Sequence, residues 1–176
     1  YTPFRKTLMA IMISPLIVPL IITASGMFVF FAKFHLVATF TGMIIAHTVL
    51  GIPFVVITVT ATLISFDHNL TRAASGLGGT PFYNFFKIQM PLITPGVISG
   101  ALFAFITSFD EVVVVLFIGS QNQITLPRQM WSGIRQEISP TILSVATILV
   151  ILSIVLLTTV ELLRRRSERL RGIRPG

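Results

Sequence analysis

The chain has 176 residues, of which 53% are hydrophobic and only 11% charged, and its mean hydropathy is +0.90. A soluble domain carries roughly 25% charge, so composition excludes an ordinary water-soluble globule; buried helices of a large soluble protein would need far more polar surface than this chain supplies. The formal charge of +7 would suggest nucleic acid in a soluble chain, but its distribution along the sequence points to membrane topology instead.

No Asp, Glu, Lys or Arg falls in residues 7–32, 34–66, 88–109 or 138–160, stretches of 26, 33, 22 and 23 residues. About 20 apolar residues cross a bilayer as a helix. The predicted fold is therefore all-α: a polytopic transmembrane helical bundle, one domain over 1–176, with four spans. Span one, about 8–32, contains Pro15 and Pro19 as kinks. The first apolar segment is too long for a signal peptide and has no small-residue cleavage site. The chain starts at Tyr1 and enters a span almost at once, so the expectation is a fragment or a product lacking its N-terminal part.

A short outer turn over 33–36 leads to span two, about 37–65, with a second kink at Gly51-Ile52-Pro53. His47 sits mid-span, where a lone histidine is expected to hydrogen-bond a neighbouring helix. A polar island follows over 67–91. Asp67 is the predicted N-cap of a short helix through Leu77, and Gly78-Gly79 ends it. Thr80 caps a second helix with Pro81 at its first position, where a missing N–H costs nothing. Phe82, Tyr83, Phe85 and Phe86 crowd that second helix. Such a group of aromatics outside the bilayer implies either a partner surface or a hairpin lying on lipid headgroups, and physics alone divides these evenly.

Span three, about 93–119, has Gly96, Gly100 and Ala104 at four-residue spacing, a stripe that allows close helix approach. Asp110 and Glu111 fall inside it. Apolar residues continue from Val112 to Ile118, which places the pair within the outer part of the span and not in a loop. Ionisable groups at that depth usually face a bundle interior or a watery path, and two carboxylates there suit a cationic substrate. The alternatives are pairing with Arg128 or Arg135, or snorkelling to the interface. An outer segment over 120–139 includes a short amphipathic helix with Trp131 at the interface. Span four, about 140–160, ends in a basic tail over 164–176.

With Arg5 and Lys6 inside, alternating spans put ten of the 13 basic residues inside and three, Lys33, Arg128 and Arg135, outside. Both termini are then cytoplasmic, and the tail suits anionic headgroups. His35 and His68 have no metal-type spacing, cysteine is absent, and no P-loop or nucleophile–histidine–carboxylate set occurs. No metal, cofactor, nucleic acid or enzymatic activity is expected of this chain.

The island's frame of Ala73-Ala74, Leu77-Gly78, Phe86, Ile88 and Met90-Pro91-Leu92 resembles the cytoplasmic EAA loop of ATP-binding-cassette importer permeases. Ala46-His47, Ile52-Pro53-Phe54-Val55-Val56, Phe109-Asp110-Glu111-Val112-Val113-Val114, Thr125-Leu126-Pro127, Gly133-Ile134-Arg135 and Ile138-Ser139-Pro140-Thr141 resemble the spermidine/putrescine-type second permease; the similarity covers roughly 8–163. The resemblance implies a bacterial inner-membrane importer subunit that works by alternating access. It implies as partners two cytoplasmic ATP-binding subunits, which hydrolyse the ATP, a second permease and a periplasmic substrate-binding protein. Arg72, Ala73, Ala74, Leu77, Gly78, Phe82, Phe86 and Pro91 would dock the ATPase, with Asp110, Glu111 and Trp131 near the substrate path. Polyamine is the implied substrate; iron, a small anion or another organic cation stay open. Two departures stand out. Family members typically have six spans, and the four here match the last four; Arg72 stands where the family usually has glutamate. A non-transporting membrane scaffold or remnant is the alternative from another class.

Overall fold

Helix is the backbone form that crosses lipid without leaving amides unpaired, and every regular element among the described residues is a helix. A computed structural model describes residues 3–136 and 140–170. The side chains of Arg135 and of most of the basic tail over 164–176 lie outside the described residues.

The stretch predicted as span one is two helices, α1 (Pro3–Ile17) and α2 (Leu20–Lys33), bent by 110° at the break. Pro15 is absorbed inside α1. Pro19 is not: it sits in extended backbone at φ −53°, ψ 132°, and a proline also pushes the residue before it away from helical geometry. The corner therefore forms at Val18–Pro19. Neither arm alone reaches the ~30 Å of a hydrocarbon core at 1.5 Å per residue. Among the described residues three further helices are long and apolar enough to cross, and the bent pair counted as one crossing makes four.

α3 (Phe40–Ile64) begins where the Thr39 hydroxyl accepts from the Gly42 N–H at 3.0 Å. It packs along α6 (Met90–Phe109) more extensively than any other helix pair. The seam is built from small residues. A Cβ on Gly96 would collide with Thr62, one on Gly100 with Thr58, and one on Gly51 would sit 3.1 Å from the Ala104 Cβ. The predicted small-residue stripe thus lies against α3, where packing replaces the hydrophobic drive that lipid removes.

α6 is the last part of one unbroken helical rod of 29 residues, Pro81–Phe109. The rod begins as α5 (Pro81–Tyr83), winds as a π helix over Asn84–Gln89, and continues as α6. Within the π turn the Met90 N–H reaches back five residues to the Phe85 carbonyl. Pro91 has no N–H to bond the Lys87 carbonyl and its ring crowds that group, so the wider winding just ahead of it is accommodated.

At the other end the predicted continuous span fails. α6 stops at Phe109, residues 110–112 are not helical, and α7 (Val113–Ile118) starts afresh. α7 packs against α2, and Ala24, Phe31, Ala46, Leu50, Val114 and Ile118 form the buried core where α2, α3 and α7 meet. The Ala38 N–H donates to the Ile118 carbonyl at 2.8 Å, tying the 34–39 turn to this core. α8 (Leu126–Gln136) and α9 (Pro140–Leu170) complete the chain. The spanning part of α9 has none of its residues buried within the chain, as expected of a helix that faces lipid or another subunit.

Candidate functional site

The polar island folds into an elbow between α3 and the 81–109 rod. Asp67 caps α4 (His68–Gly76), its carboxylate accepting from the Asn69 N–H at 2.9 Å. The far end of α4 closes as a Schellman turn: Gly79 N–H donates to the Ala74 carbonyl at 2.8 Å, and Gly78 N–H to that of Ser75 at 3.0 Å. Gly78 holds φ +90°, which explains its identity, because a Cβ there would meet nothing within 4 Å. Backbone conformation, and not crowding, requires glycine at 78. Thr80 then caps α5 by accepting from the Tyr83 N–H at 3.3 Å, and Pro81 opens the helix as the sequence predicts. Asp67→Ala is expected to destabilise α4 by about 1 kcal/mol, read as faster amide exchange at Asn69 and Leu70 with the α3–α6 seam unchanged.

Fixing the backbone so firmly leaves a sharply apolar tip. Leu77 is 90% exposed and Phe82 79%. Arg72, Ala73, Phe86 and Pro91 are exposed and Ala74 half-buried; of the eight residues singled out in the island, Arg72, Ala73, Ala74, Leu77 and Gly78 lie on α4 and its closing turn, and Phe82, Phe86 and Pro91 on the rod that follows. A cavity of about 560 Å³ opens beneath the tip between Ala74, Leu77, Tyr83 and Lys87.

Asn84 escaped the sequence reading. It is only 7% exposed, and its amide Nδ2 donates to Ser75 Oγ at 2.8 Å and to the Thr71 carbonyl at 3.4 Å. Its Oδ1 is buried with no hydrogen-bond partner, a condition that costs about 1–3 kcal/mol. The available signal was a lone amide among four aromatics.

The outer residues separate. Glu111, 6% exposed, is turned inward as a cap: its Oε1 accepts from the Val114 N–H at 2.7 Å and starts α7. Asp110 is the C-cap of α6, its N–H donating to the Ile106 carbonyl at 3.0 Å; the residue is exposed, and its carboxylate has no ion-pair or hydrogen-bond partner among the described residues. The expected position of both carboxylates along a continuous helix is thus corrected, since they form the break itself. Arg128 does not answer either acid; its guanidinium donates to the carbonyls of Ser120 (2.8 Å) and Gln123 (3.0 Å) and closes the loop ahead of α8.

Asp110 and Trp131 line one cavity of about 560 Å³, with walls from α6, α8 and α9 that are otherwise almost wholly apolar. A second cavity, about 830 Å³, lies between α3 and α6 and contains His47. His47 Nδ1 is 2.8 Å from Ser108 Oγ on α6, the cross-helix bond expected for it. Phe105, Phe109 and Pro127 line both cavities and form the wall between them. A carboxylate with no counter-charge among the described residues, at the negative end of a helix and lining the same cavity as an indole, is suited to an ammonium group; the apolar walls are suited to methylenes.

A family model described as binding-protein-dependent transport system inner membrane component matches residues 2–171. The chain is 33% identical over 154 residues to the spermidine/putrescine transport system permease protein PotC of Shigella flexneri, covering 88% of this chain and 58% of that protein. It is 34% identical over 151 residues to PotC of Escherichia coli K12, covering 86% and 57%. Against the putrescine transport system permease protein PotI of the same strain the identity is 33% over 142 residues, covering 77% and 50%. The chain spans between 50% and 58% of the length of these curated relatives.

Proposed function

Because the chain belongs to the family of binding-protein-dependent transport system inner membrane components, we propose that it is a permease subunit of an ATP-binding-cassette importer for polyamines. The family is one of transport permeases and not of enzymes, so ATP hydrolysis falls to a separate cytoplasmic subunit. The observation that carries the reading is the elbow: a tip bearing Leu77 and Phe82, held by two side-chain caps and a Schellman turn. Exposed apolar side chains on so fixed a backbone suit a protein groove better than a fluid headgroup layer, because preorganisation lowers the entropy lost on docking.

The elbow joins α3 to α6, so closure of two ATP-binding subunits on a permease pair would tilt both helices together and alternate the exposure of the central path. A periplasmic binding protein delivers substrate from outside. The ten-to-three split of basic residues supports a cytoplasmic elbow and cytoplasmic termini. Polyamine as substrate is supported by the names of the relatives and by Asp110 and Trp131 in one apolar-walled cavity.

The test is co-purification in detergent with the importer's ATP-binding subunit, comparing wild type with Leu77→Asp and Gly78→Val. Leu77 packs on almost nothing, so its replacement leaves the fold intact; capture is expected to fall at least about tenfold, or ~1.4 kcal/mol, in both variants. Undiminished capture by Leu77→Asp would exclude the elbow tip as the docking surface. No capture by wild type would favour a non-transporting membrane scaffold.

A further inference from the structure

Docking needs an apolar tip; it does not need α4 to be fastened to the rod that becomes α6. Yet such a fastening exists. α4 hangs from α3 through Ser65–Asp67 and ends at the Gly78–Gly79 turn, either of which could act as a swivel. The side-chain hydrogen bonds that cross from α4 to the π turn both belong to Asn84, which donates to Ser75 Oγ and to the Thr71 carbonyl. The joint is tightly fitted: a Cβ on Gly79 would come within 2.6 Å of Asn84 Oδ1, an oxygen buried without a partner among the described residues.

An aliphatic side chain would fill this space without leaving an acceptor unpaired. What an amide adds is direction, since two hydrogen bonds to one helix fix its angle as well as its distance. Further along, the Gly96–Thr62 and Gly100–Thr58 contacts fasten α6 to α3. The result is a closed ring of α3, α4, Asn84, the π turn and α6. Opening it at Asn84 leaves α4 free to rotate on the glycine turn while the seam above stays shut.

We propose that Asn84 is a positioning residue that makes α4 and α6 move as one body, so that movement of the docked elbow reaches the membrane helices. This rests on the importer reading given above. The residue does not touch the ATPase; it acts through Ser75 and Thr71.

The experiment uses the complete importer in proteoliposomes, with Asn84→Leu, Ser75→Ala and the double variant. The readouts are capture of the ATP-binding subunit and labelled spermidine accumulated per ATP hydrolysed. Capture is expected to stay within about twofold of wild type, while uptake per ATP falls about tenfold in Asn84→Leu and about threefold in Ser75→Ala. The double variant is expected to be no worse than Asn84→Leu, because both remove one linkage. Unchanged uptake per ATP in Asn84→Leu overturns the inference, as do additive losses in the double variant. Loss of capture in Asn84→Leu also overturns it, since Asn84 would then shape the docking surface itself. Absence of capture or uptake by wild type is a separate result that removes the importer reading, and the inference with it.

Discussion

Gly100→Leu is expected to lower the unfolding midpoint of the detergent-solubilised chain by roughly 10 °C, equivalent to about 3 kcal/mol. The first added carbon would already collide with Thr58 Oγ1 and lie 3.0 Å from the Val55 Cα. The Val55 contact is backbone and cannot step aside. The Thr58 hydroxyl is also held, donating to the carbonyls of Phe54 at 2.9 Å and Val55 at 3.2 Å. Relief therefore requires α6 to leave α3 and forfeits the seam. Gly26→Leu is the control: the same substitution in α2, where a Cβ meets nothing within 4 Å, is expected to leave the midpoint unchanged. If both variants melt alike, the α3–α6 seam is not what holds the helices together.

Asp110→Asn is expected to reduce uptake of a labelled polyamine about 30-fold, or ~2 kcal/mol, while the ATP-binding subunit is captured as before. The carboxylate stands at the negative pole of α6 with no counter-charge among the described residues, an arrangement that disfavours the free protein and favours a bound cation. Glu111→Gln tests the opposite role for the neighbouring acid. Its carboxylate stands at the positive pole of α7 and caps Val114, so neutralising it is expected to weaken folding by about 1 kcal/mol and to affect uptake only in proportion. Uptake that tolerates Asp110→Asn but collapses in Glu111→Gln, with folding unchanged, would reverse the two assignments.

What could be read from the sequence was whatever local chemistry dictates. Asp67, Thr80 and Pro81 mark helix starts because capping and a missing N–H act within one turn, and each stands at the predicted place. Gly96, Gly100 and Ala104 suggested a contact face because small residues at that spacing permit close approach, but glycine-rich spans carry such stripes by chance as well, and only the packing against α3 decides it. The breaks were hidden because distant pairing decides them. Val112–Ile118 reads as the tail of a span, yet it starts a new helix because α2 is there to pack on and Glu111 is there to cap it. Glutamate is a poor N-cap by propensity, so the sequence suggested only a buried acid pair. Likewise Pro15 and Pro19 look alike in the sequence, yet Pro15 stays inside α1 and Pro19 forms the corner, a difference that accompanies the packing of α1 against α3 and of α2 against α7. In the elbow the exposed aromatics were legible and the fastening to the rod was not, because Asn84 gains meaning only once Thr71 and Ser75 are brought beside it.

The unbroken rod from Pro81 to Phe109 also sets a reach. Its 29 residues at 1.5 Å each extend about 44 Å, some 14 Å more than the ~30 Å hydrocarbon layer. A rod seated with Phe109 at one boundary therefore emerges well past the other, so Leu77 and Phe82 would stand clear of the lipid in water. A tilt of ten degrees about the bilayer centre would then sweep the tip sideways by about 5 Å, roughly the rise of one helical turn. Small angular adjustments within the membrane and residue-sized steps at the elbow are, for a rod of this length, the same motion.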